Sequence, residues 1–147
     1  MIQIRKAHNV EQICSVLMRC RNAFFDQSIN YDEQLINLSK KFAQNAIVSV
    51  VYINDEIAGF TATYCNDKVE KVAFLSMIIV CDQFQQNGLG GLLLQHLLGD
   101  CKNNGMEQLR LEVDQNNKNA IAFYKKNGFK IEKSVSEHSM FMIKKLY

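Results

Sequence analysis

A glycine-rich turn between an apolar segment and a helical one is the part of this sequence best suited to bind a charged ligand. Residues 72–81 are almost entirely apolar and predict a strand, and from Leu89 the apolar residues recur with helical spacing. Gly88 and Gly90 lie at the junction, shortly after Gln85. A helix that begins directly after a strand points unpaired backbone N–H groups, and the positive end of its dipole, above the sheet. This arrangement favours a phosphate group.

Two common phosphate-binding loops do not fit this turn. A Walker loop ends in Gly-Lys-Ser/Thr, whereas Gly91 and Leu92 follow Gly90, so the lysine for a γ-phosphate and the hydroxyl for magnesium are both missing. A dinucleotide-binding loop needs a third small residue three places after Gly90, and that residue is Leu93. The pattern that is left to explain is the spacing Gln85-x-x-Gly88-x-Gly90. The alternative to a phosphate-binding loop is an ordinary helix that happens to begin with glycine.

A second pattern with chemical potential lies further along the chain. Residues 109–113 alternate apolar and charged side chains, as a half-buried strand does. Asn117 is placed to cap a short helix that carries Phe123 and Tyr124, and Gly128 is placed to end it. The full pattern reads Asn117-x-x-Ala120-x-x-Phe123-Tyr124-x-x-x-Gly128-Phe129. Its tyrosine hydroxyl can donate or accept a proton.

Together the two patterns resemble the GNAT superfamily of acyl-CoA-dependent N-acyltransferases, in order and in separation, over residues 72–130. The resemblance implies that the backbone of Ile78 and Val80 binds the pantetheine arm of acetyl-CoA and that residues 85–91 wrap its pyrophosphate. A frequent basic residue of the family is replaced by Asn87, which implies weaker binding. The implied cofactor-binding residues are Ile78, Ile79, Val80, Gln85, Gln86, Asn87, Gly88, Leu89, Gly90, Gly91, Asn117 and Tyr124.

The resemblance also implies an enzyme, an acyltransferase that moves an acetyl group from acetyl-CoA to a primary amine of a small molecule or peptide. The amine would attack directly within a ternary complex, without a metal. Tyr124 matches the position of a general acid for the departing thiolate, and a backbone N–H of Ile79 or Val80 would stabilise the oxyanion. A structural role in the core is the alternative for Tyr124. A second hypothesis is a non-catalytic sensor or regulatory module that binds CoA or acyl-CoA.

The base that the reaction requires is not identified by the sequence. An alkyl amine, with a pKa of roughly 10, must lose a proton before its nitrogen attacks. Glu112 lies near the end of the predicted fifth strand, but a charged residue on an alternating strand is often simply solvated. The candidates are Glu112, Glu70, Asp26 and His138.

The acceptor amine is expected beside two consecutive phenylalanines. An acid next to aromatic rings suits a cationic amine, through charge pairing and cation–π contact. The alternative is that both phenylalanines belong to the core. The residues expected to form the acceptor site are Phe24, Phe25, Asp26, Tyr31 and Glu112.

The composition is that of one globular domain. The chain has 147 residues, 48% hydrophobic and 22% charged, with no proline, so we expect a single domain over residues 1–147. No apolar run is long enough to span a membrane, and the start lacks the apolar segment of a signal peptide, which predicts a cytoplasmic protein. A net charge of +2 does not favour nucleic acid binding. Five cysteines without a Cys-x-x-Cys pair indicate neither a disulfide framework nor a metal site.

The elements that must position these residues follow in the order β-α-α-β-β-β-α-β-α-β-β. The resemblance implies the α/β (α+β) class, with four helices and a mixed, mostly antiparallel twisted sheet of about seven strands. Its fourth and fifth strands would splay apart and hold pantetheine between them. The apolar fourth strand, residues 72–81, is expected to be covered on both faces. The closing hairpin leaves a strand edge through which a homodimer could form.

Overall fold

The strands and helices occur in the predicted order in the computed structural model, which describes residues 1–147. The two strands predicted at residues 72–81 and 109–113 are observed at Val72–Val80 and Gln108–Asp114. The strands are β1 (Ile2–Ala7), β2 (Ile47–Ile53), β3 (Glu56–Tyr64), β4 (Val72–Val80), β5 (Gln108–Asp114), β6 (Lys130–Ser134) and β7 (Ser139–Lys145). The helices are α1 (Val10–Cys20), α2 (Asp32–Asn45), α3 (Leu89–Asn103) and α4 (Lys118–Lys126).

Local side chains explain where several elements begin and end. The Asn9 side chain accepts a hydrogen bond from the backbone N–H of Gln12 at 2.8 Å and so caps α1. Asn54 and Asp55 both have positive φ, which is the geometry of a tight two-residue hairpin turn between β2 and β3. Gly105, with φ of +78°, follows the end of α3, where a residue in the left-handed conformation commonly ends a helix.

The seven strands form one mixed sheet in the order β1-β2-β3-β4-β5-β7-β6. Every neighbouring pair is antiparallel except β4 and β5, which are parallel. The parallel pairing runs only from Val72–Gln108 to Leu75–Leu111, although β4 continues to Val80 and β5 to Asp114. The predicted splay of the fourth and fifth strands is therefore confirmed.

Helices cover the sheet on both faces. On one face α1 and α2 bury Leu17, Leu35 and Phe42 against alternate residues of β2 and β3. On the other face α3 packs Leu94 and Leu97 against β5 and β7, together with residues of α4. Each helix thus turns its apolar side to the sheet, as expected for amphipathic helices on a common core.

Coverage of β4 differs from the prediction along its length. Ala73 and Leu75 are buried, but Ser76 is exposed and residues 77–80 are only half-buried. The expectation that this strand is covered on both faces is correct only up to the point where β5 separates from it. Beyond that point the apolar residues of β4 line an opening in the sheet.

The cysteines are arranged differently from the prediction. Cys20 at the end of α1 and Cys81 just after β4 form a disulfide, with their Cα atoms 4.9 Å apart. Neither sequence spacing nor the odd cysteine count revealed this pair, because it joins residues that only the fold brings together. The thiols of Cys65 and Cys101 lie 3.9 Å apart, and Cys14 is free.

None of the four helices has the length and hydrophobicity that a bilayer span requires. No cluster of three or more histidine, cysteine, aspartate or glutamate side chains is arranged to hold a metal ion.

Candidate active site

The glycine-rich turn joins β4 to α3 through two residues in the left-handed conformation. After a short 3-10 turn (Asp82–Phe84), Gln86 has a φ of +66° and Gly88 a φ of +75°. Gly88 is also the N-cap of α3, and its carbonyl accepts from Leu92 at 3.2 Å. The N–H groups of the first helical turn precede that bond and have no partner inside the helix. They are the donors that a phosphate would use.

Gly90 and Gly91 leave the first turn of α3 without side chains at two positions. A Cβ on Gly91 would have no neighbour within 4 Å, and a Cβ on Gly90 would meet only the Phe123 ring at 3.5 Å. That distance is an ordinary van der Waals contact, so the protein itself does not require glycine at position 90. Without a side chain, Gly90 leaves the backbone of the first helical turn open to close approach.

The side chains of the turn are tied to the turn itself. Gln85 donates through Nε2 to the Val80 carbonyl at 3.1 Å, and Asn87 donates through Nδ2 to the Phe84 carbonyl at 3.2 Å. Asp82 carries the only charge between residues 81 and 91. Within this turn, the groups that can bind a phosphate are therefore the backbone N–H groups and the positive end of the helix dipole.

The gap beside β4 exposes backbone groups of alternate residues. The N–H of Cys81 donates to the Ala58 carbonyl at 2.8 Å, and Ile79 is paired with Phe60 in the same antiparallel ladder. Because hydrogen-bonded and non-hydrogen-bonded pairs alternate, the N–H and C=O groups of Ile78 and Val80 point away from β3 and into the gap. Ile79, predicted with them, directs its backbone groups to β3 instead.

A cavity of about 670 Å³ opens at the gap and is lined by eight of the seventeen predicted site residues. Its wall is formed by the splayed part of β4, the end of β5, the start of α4 and the segment after α1. The predicted residues that line it are Phe24, Phe25, Asp26, Ile78, Ile79, Glu112, Asn117 and Tyr124.

Tyr124 is held rigidly at the cavity wall. Its ring packs edge-on against Phe123 and Phe129, with ring centres 5.6 and 5.4 Å away. Only 9% of the residue is exposed, and its hydroxyl has no hydrogen-bond partner in the protein. Burial raises the pKa of Tyr124 to about 12, since desolvation disfavours the phenolate. The side chain is thus a protonated phenol whose hydroxyl is free to serve a ligand.

Asn117 caps the helix that carries this tyrosine. Its Oδ1 accepts from the backbone N–H of Ala120 at 3.3 Å, which confirms the predicted cap. Asn117 also lines the cavity. Contact with a cofactor, the second predicted role, stays a prediction.

The acidic side chains of the cavity have no basic counterpart. Asp26, Glu112 and Asp114 line it, whereas no lysine, arginine or histidine does. Hydrogen bonds from the hydroxyl and the backbone N–H of Ser28 hold the pKa of the Asp26 carboxyl below its ordinary value. The wall therefore favours a cationic occupant.

Several predicted residues lie elsewhere. Tyr31 is 64% exposed and does not line the cavity. The alternative bases Glu70 and His138 do not line the cavity either, and both lie in exposed turns. Asp114 and Ser139, in contrast, line the cavity and were missed. Their role depends on the pairing of β5 with β7, which no local sequence pattern reveals.

The fold and this site together define an α/β protein of the GNAT type. The acetyltransferase (GNAT) family matches residues 10–129, and the chain belongs to that family.

Known relatives agree with this membership. An N-acetyltransferase of Methanocaldococcus jannaschii is 35% identical over 101 residues, which are 66% of this chain and 44% of that protein. The ribosomal protein bS18-alanine N-acetyltransferase of Salmonella typhimurium is 40% identical over 76 residues, which are 52% of this chain and 49% of that protein. The similarity thus spans about half the length of each relative.

A solved structure supports the fold over the whole chain. The PaiA N-acetyltransferase of Thermoplasma acidophilum, solved in complex with coenzyme A, superposes with a TM-score of 0.79 and covers 99% of both chains. Its sequence identity is 21%, so this likeness establishes the architecture alone.

Proposed function

We propose that this protein is an N-acetyltransferase that moves an acetyl group from acetyl-CoA to a primary amine, by direct attack within a ternary complex. One observation carries the proposal. Tyr124, only 9% exposed and with a hydroxyl that has no partner in the protein, lines a cavity that opens between the splayed strands β4 and β5.

The residues around the gap fit the acyl donor. The backbone N–H and C=O of Ile78 and the N–H of Val80 are open to the acyl donor, much as the edge of a neighbouring strand would be, whereas the Val80 carbonyl already accepts from Gln85. The N–H groups at residues 88–91 face the pyrophosphate, and Asn117 closes the opposite wall. Acetyl-CoA supplies an acetyl group activated as a thioester.

Tyr124 then acts as the general acid. The C–S bond of the thioester breaks to release a CoA thiolate, whose parent thiol has a pKa of about 8.5, and the phenol of Tyr124 donates its proton to that sulfur. Tyr124 keeps its proton at neutral pH because burial raises its pKa to about 12. For the oxygen that becomes negative during attack, the N–H of Val80 is the better donor, since Ile79 faces β3.

Glu112 is the base that we propose. Of the four candidates, only Glu112 and Asp26 line the cavity, and Glu112 comes from β5, the strand that leads directly to the Tyr124 helix. Acid and base therefore stand on consecutive elements. Asp26 lies on the segment after α1, where it would attract the cationic amine rather than accept its proton.

The acceptor that we propose is a cationic amine, either a small molecule or the end of a peptide. The three cavity carboxylates support the positive charge, and Phe25, 55% exposed beside Asp26, offers an aromatic face for it. The Salmonella relative is named for acetylating an alanine of a ribosomal protein, which supports a peptide amine among the candidates. A cytoplasmic location and a homodimer remain predictions.

Release of free thiol tests the proposal against the sensor hypothesis. Purified protein with acetyl-CoA should release CoA thiol only when an amine from a panel of polyamines, amino acids and peptides is added. Glu112→Gln should reduce the rate by about a hundredfold, in keeping with general base catalysis. Glu70→Gln, an exposed acid outside the cavity, is the matched control and should leave the rate unchanged. Binding of CoA without amine-dependent thiol release would identify a sensor instead.

A further inference from the structure

Ser139 opens β7 directly beside the proposed base. Its Oγ lies 2.7 Å from Oε2 of Glu112, and both residues line the cavity. In the register of β5 and β7, Ser139 pairs with Asp114 and Glu112 pairs with Phe141. The serine and the glutamate are therefore diagonal neighbours on one face of the sheet, within reach of a long side chain.

Ser136 extends this hydrogen bond into a chain of hydroxyl groups. Its Oγ accepts from the backbone N–H groups of His138 at 3.1 Å and Ser139 at 3.2 Å, and it lies 3.3 Å from the Ser139 Oγ. A hydroxyl has one proton, and a carboxylate has none to donate. Because the Ser139 proton goes to Glu112, the Ser136 hydroxyl donates to Ser139. The two serines thus form a directed chain that ends on the carboxylate.

The hydrogen bond from Ser139 occupies Oε2 of the Glu112 carboxylate and leaves Oε1 without a protein partner. Glu112 makes no further hydrogen bond and no ion pair within the protein. A carboxylate fixed in this way presents its second oxygen, Oε1, in a defined direction, which favours proton transfer from a positioned amine. We propose that Ser139, supported by Ser136, is a positioning residue that orients Glu112 toward the acceptor. This inference rests on the proposed function.

The hairpin itself does not depend on the Ser139 hydroxyl. Backbone bonds hold it separately, from Gln115 N to the His138 carbonyl at 2.7 Å and from Val135 N to the Ser139 carbonyl at 2.9 Å. Seven residue pairs also join β5 to β7. A variant that loses only the hydroxyl should therefore fold normally.

Steady-state kinetics of single and double variants test the inference. Ser139→Ala should lower kcat roughly tenfold, the loss expected for a hydrogen bond to a charged group, with the KM for acetyl-CoA unchanged. Ser139→Thr keeps a hydroxyl on a strand position and should restore most of the rate. Ser134→Ala, an exposed serine of the same hairpin without a hydrogen-bond partner, is the control and should match the wild type.

A double-mutant cycle separates positioning from a purely structural effect. In a Glu112→Gln background, Ser139→Ala should cause no further loss of kcat, because the serine acts through the carboxylate. Additive losses, or an alanine variant as fast as the wild type, would overturn the inference while leaving the proposed activity intact. If the wild type itself releases no thiol with any amine, the proposed function fails, and that outcome is distinct from the others.

Discussion

Phe123 of α4 packs against Gly90 of α3. The helix that carries Tyr124 therefore contacts the start of α3, where a phosphate would bind. The Phe123 ring lies 3.5 Å from the point where a Cβ on Gly90 would stand. Tyr124 follows Phe123 directly, and its own ring packs against the Phe123 ring. The proposed acid and the proposed phosphate site are therefore linked by a single aromatic side chain.

Gly90→Ala should separate folding from cofactor binding. Alanine is favoured over glycine by roughly 0.5–1 kcal/mol in a helix interior, which is the upper bound for Gly90 as the second residue of α3, and a Cβ at this position meets only an ordinary contact. The same Cβ would hold a pyrophosphate away from the backbone N–H groups. We expect a higher melting temperature and weaker CoA binding by titration calorimetry.

Gly99→Ala is the matched control for that change. Gly99 also lies inside α3, and a Cβ there would have no neighbour within 4 Å. This variant should gain at least as much stability as Gly90→Ala and keep full CoA affinity. Equal CoA affinity in both variants would refute the role of Gly90.

Tyr124→Phe should slow acetyl transfer without disturbing the cofactor. Removal of the phenolic proton donor should reduce kcat by about a hundredfold, while the CoA dissociation constant stays nearly the same. Because the pKa of Tyr124 is about 12, the wild type should show no decline from tyrosine ionisation between pH 7 and pH 10. Thiol release measured across that range checks both statements, and an unchanged rate in the phenylalanine variant would exclude the acid role.

The same pKa predicts how stability responds to alkali. Between about pH 10 and pH 12 an unfolded tyrosine ionises while the buried Tyr124 keeps its proton, so the native state binds more protons and unfolding becomes easier as pH rises. The contribution present below pH 10 should be lost across this window, amounting to about 2–3 kcal/mol. Urea unfolding of the wild type and of Tyr124→Phe at pH 9 and pH 11.5 measures it. Identical pH dependence in the two proteins would contradict the prediction.

Asp26→Asn should weaken selection for cationic acceptors. Asp26 lines the cavity and stays ionised because Ser28 donates two hydrogen bonds to it. The carboxylate is exposed, so we expect a severalfold rise in KM for a diamine that fades at high salt, with little change for a monoamine of equal length. Glu33→Gln, an exposed acid of α2 outside the cavity, should change neither value.

Reduction of the Cys20–Cys81 disulfide should lower stability substantially. The bond closes a loop across a sequence separation of 61 residues, for which chain entropy predicts roughly 4 kcal/mol. Urea unfolding with and without a thiol reductant measures this difference. A variant with alanine at both positions should be insensitive to the reductant.

Thiol counting gives an independent check on the same bond. The oxidised protein should show three reactive thiols in denaturant, those of Cys14, Cys65 and Cys101, rather than five. Five thiols before any reduction would show that the bond does not form in solution.

The sequence predicted those parts of the fold that depend on local pattern. Alternation in β5, the Asn117 cap and the glycines at positions 88 and 128 all specify local backbone geometry, and each element was found where it was expected. The splay of β4 and β5 was also foreseen, although only through resemblance to the family.

The parts that were missed depend on contacts between distant segments. Ser139 reaches Glu112 only because β7 pairs with β5, and Cys20 meets Cys81 only because α1 ends above the end of β4. Tyr31 was expected in the acceptor wall, but it starts α2 on an exposed surface outside the cavity. Such relations follow from tertiary packing, which overrides sequence proximity.

Only four residue pairs join β4 to β5, so the sheet consists of two parts, β1 to β4 and β5 to β7, with a short connection between them. A molecule that lies between the separated ends of β4 and β5 would supply the hydrogen bonds that these strands do not make with each other. It would behave as a transient eighth strand. Binding of a molecule in the gap should then reduce the motion of β4 relative to β5. The amide protons of Ile78 and Val80 should exchange with solvent much more slowly when the gap is occupied than when it is empty.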